Sequence, residues 1–232
     1  MKTIGMIGGI GPESTIEYYR LINASYAERI TDGSYPLMMI NSIDLQKLRR
    51  MAEADERAEM TECLVSEIQK LARAGAEFGF LAANTPHMVF EEVHRQSPVP
   101  LISIVEATCK AAKGRSLEKL GLFGTRMTMQ GRFYPDVFSR EGIALAVPDE
   151  HDQVYIHHVY FNELVKGTVL PETRQRLLKI VDRLKEREGI QGLILGGTEL
   201  SLIFRDDTVC DIPVLDTTKI HAKAIVDEAL AS

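Results

Sequence analysis

The amino-acid sequence predicts an α/β protein in which mostly parallel strands alternate with helices. Short apolar runs, typical of buried strands, are separated by longer segments with apolar residues at helical spacing, and this alternation is typical of βαβ units. The chain has 232 residues, of which 45% are hydrophobic and 26% charged, so it is long enough for one large domain or two smaller ones. A weak internal repeat favours two similar halves.

The elements follow from apolar periodicity and from residues that start or stop helices. Pro12 suits a first helical turn, and Gly75 and Gly189 stand where a left-handed residue would end a helix. The predicted helices run from residue 12 through 26, from 54 to 74, from 171 to 188 and from 217 to 230. The predicted strands cover residues 3–7, 37–41, 78–82, 101–105, 119–123, 143–147, 192–195 and 214–215.

The repeat relates the two halves of the chain. Residues 4–8 (IGMIG) resemble residues 120–124 (LGLFG), and the small-residue segments at 81–85 and 195–199 are related by nearly the same shift. We therefore predict two pseudosymmetric parallel-sheet domains. The first comprises residues 1–107 plus 213–232, and the second comprises residues 108–212. If the halves face each other across a pseudo-twofold axis, the carboxyl ends of both sheets converge on one interdomain active-site cleft.

Composition excludes several classes of partner. The net charge is −6 with lysine and arginine scattered along the chain, which argues against nucleic acid or an anionic membrane. No apolar stretch approaches the roughly 20 residues of a membrane span, and the first predicted strand begins at residue 3, which leaves no room for a signal peptide. We therefore expect a cytoplasmic protein. Three cysteines without CxxC spacing and the adjacent His157 and His158 indicate neither a disulfide framework nor a metal site.

A glycine-rich turn, residues 8–15 (GGIGPEST), lies between the first strand and the first helix. The backbone amides of Gly9 and Ile10 could hold an anion at the helix N-terminus. Read from Gly9, the turn is one residue short of the dinucleotide fingerprint, and Asp44 lies too far along to hold a ribose. A carboxylate or phosphate site is therefore favoured over a nucleotide-dependent enzyme, and a purely structural tight turn is the alternative.

Polar side chains also follow three of the predicted strands, at the edge where open α/β sheets build active sites. Short hydroxyl and amide groups there could fix the carboxylates of a small acidic substrate. Helix capping explains each group taken alone, and only their clustering favours a site. Arg49, Arg50 and Lys166 are the basic residues best placed to complement a dicarboxylate, although solvated helix faces are their usual location. The strand-end groups are Asn84, Thr85 and His87, then Thr125 and Thr128, then Thr198 and Glu199.

Four segments resemble, in order, the motifs of the cofactor-independent aspartate/glutamate racemase family. They are residues 5–15 (GMIGGIGPEST), 83–87 (ANTPH), 123–128 (FGTRMT) and 195–199 (LGGTE). The resemblance implies two pseudosymmetric α/β domains with a cleft, frequent dimers, and racemisation of an acidic amino acid without pyridoxal phosphate. By the same resemblance, the α-carboxylate and amine of the substrate would be held by Asn84, Thr85, Thr125, Thr128 and Thr198. Lys166 matches a lysine that some members use for the distal carboxylate.

The resemblance also identifies Ala83 and Gly197 as the positions that the family's two catalytic cysteines normally occupy. In the family mechanism a thiolate on one face removes the α-proton and a thiol on the other face returns one. Members with a single cysteine and a small residue at the first position are known, so Ala83 fits that subgroup, whereas Gly197 does not. Neither residue can carry a proton.

Three explanations of the missing thiols follow. The chain is an engineered cysteine-to-glycine variant, a natural relative that uses another base such as Glu199 or His87, or an amino-acid-binding protein without catalysis. We expect a racemase-family homodimer that binds aspartate or glutamate with impaired racemisation. If Gly197 replaced a working thiol, Gly197→Cys should raise activity.

Overall fold

The computed structural model describes residues 1–231 and contains two compact units. Unit 1 comprises residues 1–104 and the chain from residue 218 onward, and unit 2 comprises Val105–Thr217. Each unit is built around one mostly parallel sheet with helices packed on it. The predicted α/β class with two parallel-sheet domains is confirmed.

The elements alternate along the chain as the apolar pattern predicts, with boundaries shifted by a residue or two at most strands. The strands are β1 (Ile4–Gly8), β2 (Met38–Ser42), β3 (Phe78–Leu81), β4 (Leu101–Ile102), β5 (Lys119–Gly124), β6 (Ala144–Ala146), β7 (Leu193–Gly196), β8 (Thr208–Val209) and β9 (Ile212–Asp216). The helices are α1 (Pro12–Ala27), α2 (Leu45–Glu53), α3 (Arg57–Ala74), α4 (Phe90–Gln96), α5 (Ile104–Gly114), α6 (Arg126–Gln130), α7 (Phe133–Arg140), α8 (Glu150–Asn162), α9 (Pro171–Glu188) and α10 (Thr217–Leu230). Short 3₁₀ helices cover Thr85–Val89, Leu164–Lys166 and Thr198–Leu202.

In unit 1 the sheet order is β2-β1-β3-β4, and all of its strand pairs are parallel. Side chains alternate between the two faces, as the strand pleat requires. Met6 of β1 packs with residues of α1 and α10, whereas the next residue, Ile7, packs with residues of α2, α3 and α4. Both faces are therefore covered, which is the usual condition for a parallel sheet.

In unit 2 the order is β6-β5-β7-β9-β8, with only the edge strand β8 antiparallel. Phe123 of β5 and Leu195 of β7 pack against α8 and α9 in a single apolar cluster that includes Ile156 and Leu177. The β-strand core thus fixes the position of α8, the helix that carries Tyr160.

The internal repeat has a structural counterpart. The first four strands of the two sheets have equivalent orders, β2-β1-β3-β4 and β6-β5-β7-β9. The registers also correspond, because Ile7 pairs with Leu81 in unit 1 and Phe123 pairs with Leu195 in unit 2. The two small-residue segments accordingly follow equivalent strands, β3 and β7.

Two predicted helix ends lie where the sequence places them, and one predicted helix is divided. Gly75 ends α3 with φ 109°, and Gly189 ends α9 with φ 65°. The helix predicted to begin at residue 54 begins at Arg57, because a separate helix, α2, occupies Leu45–Glu53 and Asp55 interrupts the chain with a positive φ of 55°.

The predicted domain boundary is wrong for the last strand. The sequence pattern places residues 213–217 in the first domain, yet β9 pairs with β7 in the second sheet, where Val214 lies beside Leu193. Only the helix that follows belongs to unit 1, where Ile225 packs with Ile4. An apolar run identifies a buried strand but carries no information about which sheet it completes. Within residues 1–231, every helix is too short or too polar to cross a lipid bilayer.

Candidate active site

The glycine-rich turn after β1 is held by its own hydrogen bonds. Gly9 has φ +79°, a backbone conformation that residues with a side chain rarely adopt, and a Cβ there would lie 2.3 Å from the carbonyl oxygen of Ile43. The Gly9 N–H donates to Thr15 Oγ1 at 2.8 Å, and the Thr15 hydroxyl donates to the Gly11 carbonyl at 3.0 Å. Ile10 is buried in the apolar core of unit 1. A purely structural tight turn therefore explains why position 9 is glycine. It also explains the Gly9 amide, which is already hydrogen-bonded within the turn, but it does not explain the Ile10 amide.

The end of β3 carries the first strand-end cluster, which we define as Ala83, Asn84, Thr85 and His87. Ala83 and Asn84 are buried, and Thr85 is partly buried. Asn84 immediately precedes the 3₁₀ helix Thr85–Val89, but its side chain makes no capping hydrogen bond to that helix. Helix capping therefore does not explain the burial of this amide.

His87 links two backbone segments of unit 1. The Ile104 N–H donates to Nε2 at 3.2 Å, so Nδ1 carries the proton and donates to the Ala83 carbonyl at 3.0 Å. The ring is buried and stacks on Phe90. Burial lowers the pKa of His87 to about 4, so the imidazole is neutral at physiological pH. With both nitrogens used by the backbone, the geometry favours a positioning role over that of a base.

A second buried histidine lies in the same unit. His221 of α10 directs Nε2 at the Ile102 carbonyl, 3.0 Å away, and Nδ1 at the Tyr18 hydroxyl, 2.8 Å away. Burial and the neighbouring His87 lower its pKa to about 3. Neither Tyr18 nor His221 is identified by sequence reasoning. Their contacts join α1 and α10 to the end of β4, and no short motif signals such a long-range pair.

The second strand-end cluster comprises Thr125, Thr128, Thr198, Glu199 and Tyr160, all in unit 2 and all buried. Thr125 follows β5 and caps α6, because its hydroxyl oxygen accepts a hydrogen bond from the Thr128 N–H at 3.3 Å. The two hydroxyl oxygens lie 3.2 Å apart. Capping, the explanation available to each strand-end residue taken alone, therefore accounts for Thr125.

The end of β7 is different. Thr198 does not cap the 3₁₀ helix that it begins, since the residue at the cap position is Gly197. The Thr198 hydroxyl instead donates to Glu199 Oε2 at 2.8 Å, and the Tyr160 hydroxyl donates to the same oxygen. The buried Glu199 carboxylate thus accepts hydrogen bonds from two hydroxyl groups, two residues after Gly197.

Tyr160 is a functional candidate that sequence reasoning misses. It lies on α8, far along the chain from Gly197, and in the sequence it is one aromatic residue of an apolar helix face. Its ring nevertheless fills the space in front of Gly197, where a Cβ added to the glycine would lie 2.5 Å from Cε2. Only the packing of α8 on β5 and β7 brings the two residues together.

The basic residues predicted to hold a distal carboxylate lie at the surface of their units. Arg49 on α2 pairs with Glu53 one helical turn away, with 2.7 Å between Nε and Oε1. Lys166 is exposed at the end of the 3₁₀ helix Leu164–Lys166, a segment that contacts Thr198–Leu202. Lys166 is therefore on the same side of unit 2 as Thr198, whereas Arg49 belongs to unit 1.

Two of the three cysteines are disfavoured as thiolates. Burial raises the pKa of the Cys109 thiol, and burial together with Asp182 raises that of Cys210 to about 12. Cys63 lies on α3. Among the described residues, Asp149, His151 and Asp152 have ligand atoms close enough to hold a metal ion, but both carboxylates already have protein partners. Asp149 caps α8, and Asp152 pairs with Arg183 at 2.5 Å.

Comparison with known proteins gives consistent results. Residues 7–225 match the family model described as Asp/Glu/Hydantoin racemase. The chain is 27% identical over 235 residues to the broad specificity amino-acid racemase RacX of Bacillus subtilis, with 98% of each chain covered. It is 33% identical to the crystal structure of an aspartate racemase homologue from Pyrococcus horikoshii, with a TM-score of 0.86 and all of both chains covered. The fold is also similar to that of Picrophilus torridus aspartate racemase, at 21% identity and a TM-score of 0.76, covering 99% of this chain and 94% of that one.

Proposed function

This chain belongs to the Asp/Glu/hydantoin racemase family of amino-acid isomerases, and on that premise we propose that it binds a small acidic amino acid and exchanges its α-proton without pyridoxal phosphate. The substrate we infer is aspartate or glutamate. The inference is supported by the similarity to an aspartate racemase homologue and by the polar character of the two strand-end clusters.

One observation carries the proposal. Buried polar side chains that serve no helix cap follow the equivalent strands β3 and β7, namely Asn84 in unit 1 and Thr198 with Glu199 in unit 2. The carboxyl ends of the strands of open α/β sheets are where ligand sites form, so buried polar groups at the ends of two equivalent strands support a substrate site there. We assign the α-carboxylate and amine of the substrate to Asn84, Thr85, Thr125, Thr128 and Thr198, and the distal carboxylate to Lys166 with Arg49 as the alternative.

The family's two-thiol mechanism does not operate in this chain, because Ala83 and Gly197 lack a group that can carry a proton. Loss of a single acid–base group typically slows proton transfer by about 10²- to 10⁴-fold. We therefore propose that racemisation is slow compared with that of cysteine-bearing members. Of the two candidate bases, Glu199 is favoured, because His87 is buried and neutral and both of its ring nitrogens bond to the backbone. The main alternative is an amino-acid-binding homologue that has no catalytic activity.

Proton NMR in D₂O tests the function directly. Each enantiomer of aspartate and glutamate is incubated with the protein, and the Cα–H signal is followed against a protein-free control. We expect slow loss of the signal for at least one substrate. A persistent signal, together with a rise in melting temperature on adding the amino acid, would establish the binding-protein alternative. Stabilisation by a dinucleotide and not by an acidic amino acid would refute the proposal.

We further propose a cytoplasmic homodimer that has no nucleic-acid or membrane partner. The three cysteines are free thiols, as is usual in a reducing compartment. Tyr35, Leu37 and Ile40 are exposed beside or within β2, which is an edge strand of unit 1. Exposed apolar side chains at a sheet edge are suited to subunit contact. Light scattering coupled to gel filtration measures the oligomeric state, and a monomer that persists at high concentration would contradict the homodimer.

A further inference from the structure

The ring of Tyr160 takes the place of a side chain at position 197. A Cβ built on Gly197 would lie 2.5 Å from Cε2, 3.2 Å from Cζ and 3.3 Å from the hydroxyl oxygen of Tyr160. The backbone of Gly197 is extended, with φ −159° and ψ 125°, so its conformation would accept any residue. The requirement for glycine is therefore steric, and it is imposed by Tyr160.

The Tyr160 hydroxyl is a proton-carrying group whose oxygen lies 3.3 Å from the Cβ position of residue 197. This hydroxyl donates to Glu199 Oε2, and Thr198 Oγ1 donates to the same oxygen at 2.8 Å. All three side chains are at least nine-tenths buried. The elements that hold them are well anchored, because α8 packs on β5 and β7 and the Thr198–Leu202 helix follows β7 directly.

The phenol is kept neutral by its surroundings. Burial, and then the charge of Glu199, raise the pKa of Tyr160 well above its ordinary value. A free phenolate is therefore unavailable as a base at neutral pH. A phenol hydrogen-bonded to a carboxylate needs no such ionisation, since it can accept one proton while it passes its own to the carboxylate.

We propose that Tyr160 and Glu199 form a proton relay that replaces the thiol of position 197, an inference that rests on the proposed function. In the forward step the Cα–H bond of the substrate breaks, its electron pair remains on the substrate as a carbanion conjugated with the α-carboxylate, and the proton bonds to the Tyr160 oxygen. At the same time the hydroxyl proton of Tyr160 moves to Glu199 Oε2. The reverse step returns a proton to Cα and restores the carboxylate.

The relay assigns distinct roles to its members. Tyr160 is the catalytic residue, because its oxygen would contact the α-proton. Glu199 acts through Tyr160 as the proton store, and Thr198 positions the carboxylate. The relay also explains why Gly197 need not indicate an engineered chain, since a glycine is what the Tyr160 ring requires.

The test compares α-proton exchange in D₂O for the wild type, Tyr160→Phe, Glu199→Gln and the control Tyr155→Phe. Tyr155 lies on the same helix, and its ring contacts the Arg176 guanidinium, a contact that phenylalanine retains. We expect Tyr160→Phe and Glu199→Gln to lower the exchange rate by about 10²- to 10⁴-fold while acidic amino acids still raise their melting temperatures. The control variant should exchange at the wild-type rate.

A second readout separates a chemical role of Glu199 from a structural one. In Glu199→Ala, added acetate should restore part of the exchange, because a small carboxylate can accept the Tyr160 proton, whereas chloride at the same ionic strength should not. Wild-type exchange in Tyr160→Phe would refute the relay and leave the proposed function intact. Absence of exchange in the wild type with retained stabilisation by the amino acid would refute the relay and the catalytic part of the function, and absence of both would refute the function itself.

Discussion

Replacement of Gly197 by cysteine measures the free-energy cost of displacing the Tyr160 ring from the space in front of position 197. The nearest ring atom would lie 2.5 Å from the new Cβ, whereas favourable carbon contacts begin at about 3.5 Å. The ring would therefore have to move by roughly 1 Å. The ring is held at its far end, because its hydroxyl is hydrogen-bonded to Glu199, and it also contacts the Phe161 ring, with 5.3 Å between ring centroids.

The magnitude follows from two opposing effects. Overpacking a buried site costs about 1–3 kcal/mol. Replacing glycine in an allowed conformation stabilises by about 0.4–1 kcal/mol, because the unfolded chain loses freedom. We expect Gly197→Cys to lower the free energy of unfolding by about 1–2 kcal/mol. In a chain of this size, each kcal/mol lowers the melting temperature by about 2–4 °C.

A double-mutant cycle with Tyr160→Ala isolates the contact. Removing the ring is itself expected to cost about 3–5 kcal/mol, but in that background the cysteine finds space, and its cost should vanish. The coupling free energy should be about 1–3 kcal/mol. Urea unfolding gives the free energy of unfolding of the wild type, the two single variants and the double variant. Gly114→Cys is the matched control, because a Cβ at that position would have no neighbouring atom within 4 Å.

The activity of Gly197→Cys separates the proposed relay from the expectation that this variant gains activity if Gly197 replaced a working thiol. With Tyr160 in place we expect no gain in α-proton exchange from Gly197→Cys, because the introduced side chain displaces the hydroxyl that carries the proton. Equal unfolding free energies for Gly197→Cys and the wild type, with no coupling to Tyr160→Ala, would refute this reasoning. A large rise in exchange for the single variant would refute it as well.

Two further predictions concern unit 1. The folded-state pKa values of His87 and His221, about 4 and about 3, lie below the ordinary 6.5. The unfolded chain therefore binds more protons, and stability should fall as the pH drops below about 6.5. The urea midpoints at pH 7 and pH 5 should differ less in His87→Gln than in the wild type, whereas the control variant His151→Gln, at an exposed site, should behave as the wild type does. Asn84→Asp should weaken the binding of aspartate or glutamate at least about tenfold because it adds a like charge. Isothermal titration measures this against Asn23→Asp, a partly exposed asparagine of α1, and equal affinities would contradict the assignment of Asn84.

Local sequence patterns predict much of the fold. The alternation of apolar runs and helical spacing identifies both sheets, and Gly75 and Gly189 end their helices as expected because a left-handed residue is a local requirement. The assignment of residues 213–217 to the first domain fails, because β9 has the same apolar character wherever it pairs. Strand partners depend on contacts between distant residues, which a pattern in one sequence does not contain.

The sequence by itself determined the α/β class, the repeat and the strand-end positions of Ala83, Asn84, Gly197 and Glu199. Only the tertiary structure decided which side chain lies in front of Gly197 in unit 2. Tyr160 reaches Gly197 because α8 packs across β5 and β7, and the backbone contacts of His87 likewise come from segments that are separate in the chain. The sequence gives the chemical type of each side chain. Which space a side chain fills and which groups it hydrogen-bonds depend on the fold, because only the folded chain brings distant residues into contact.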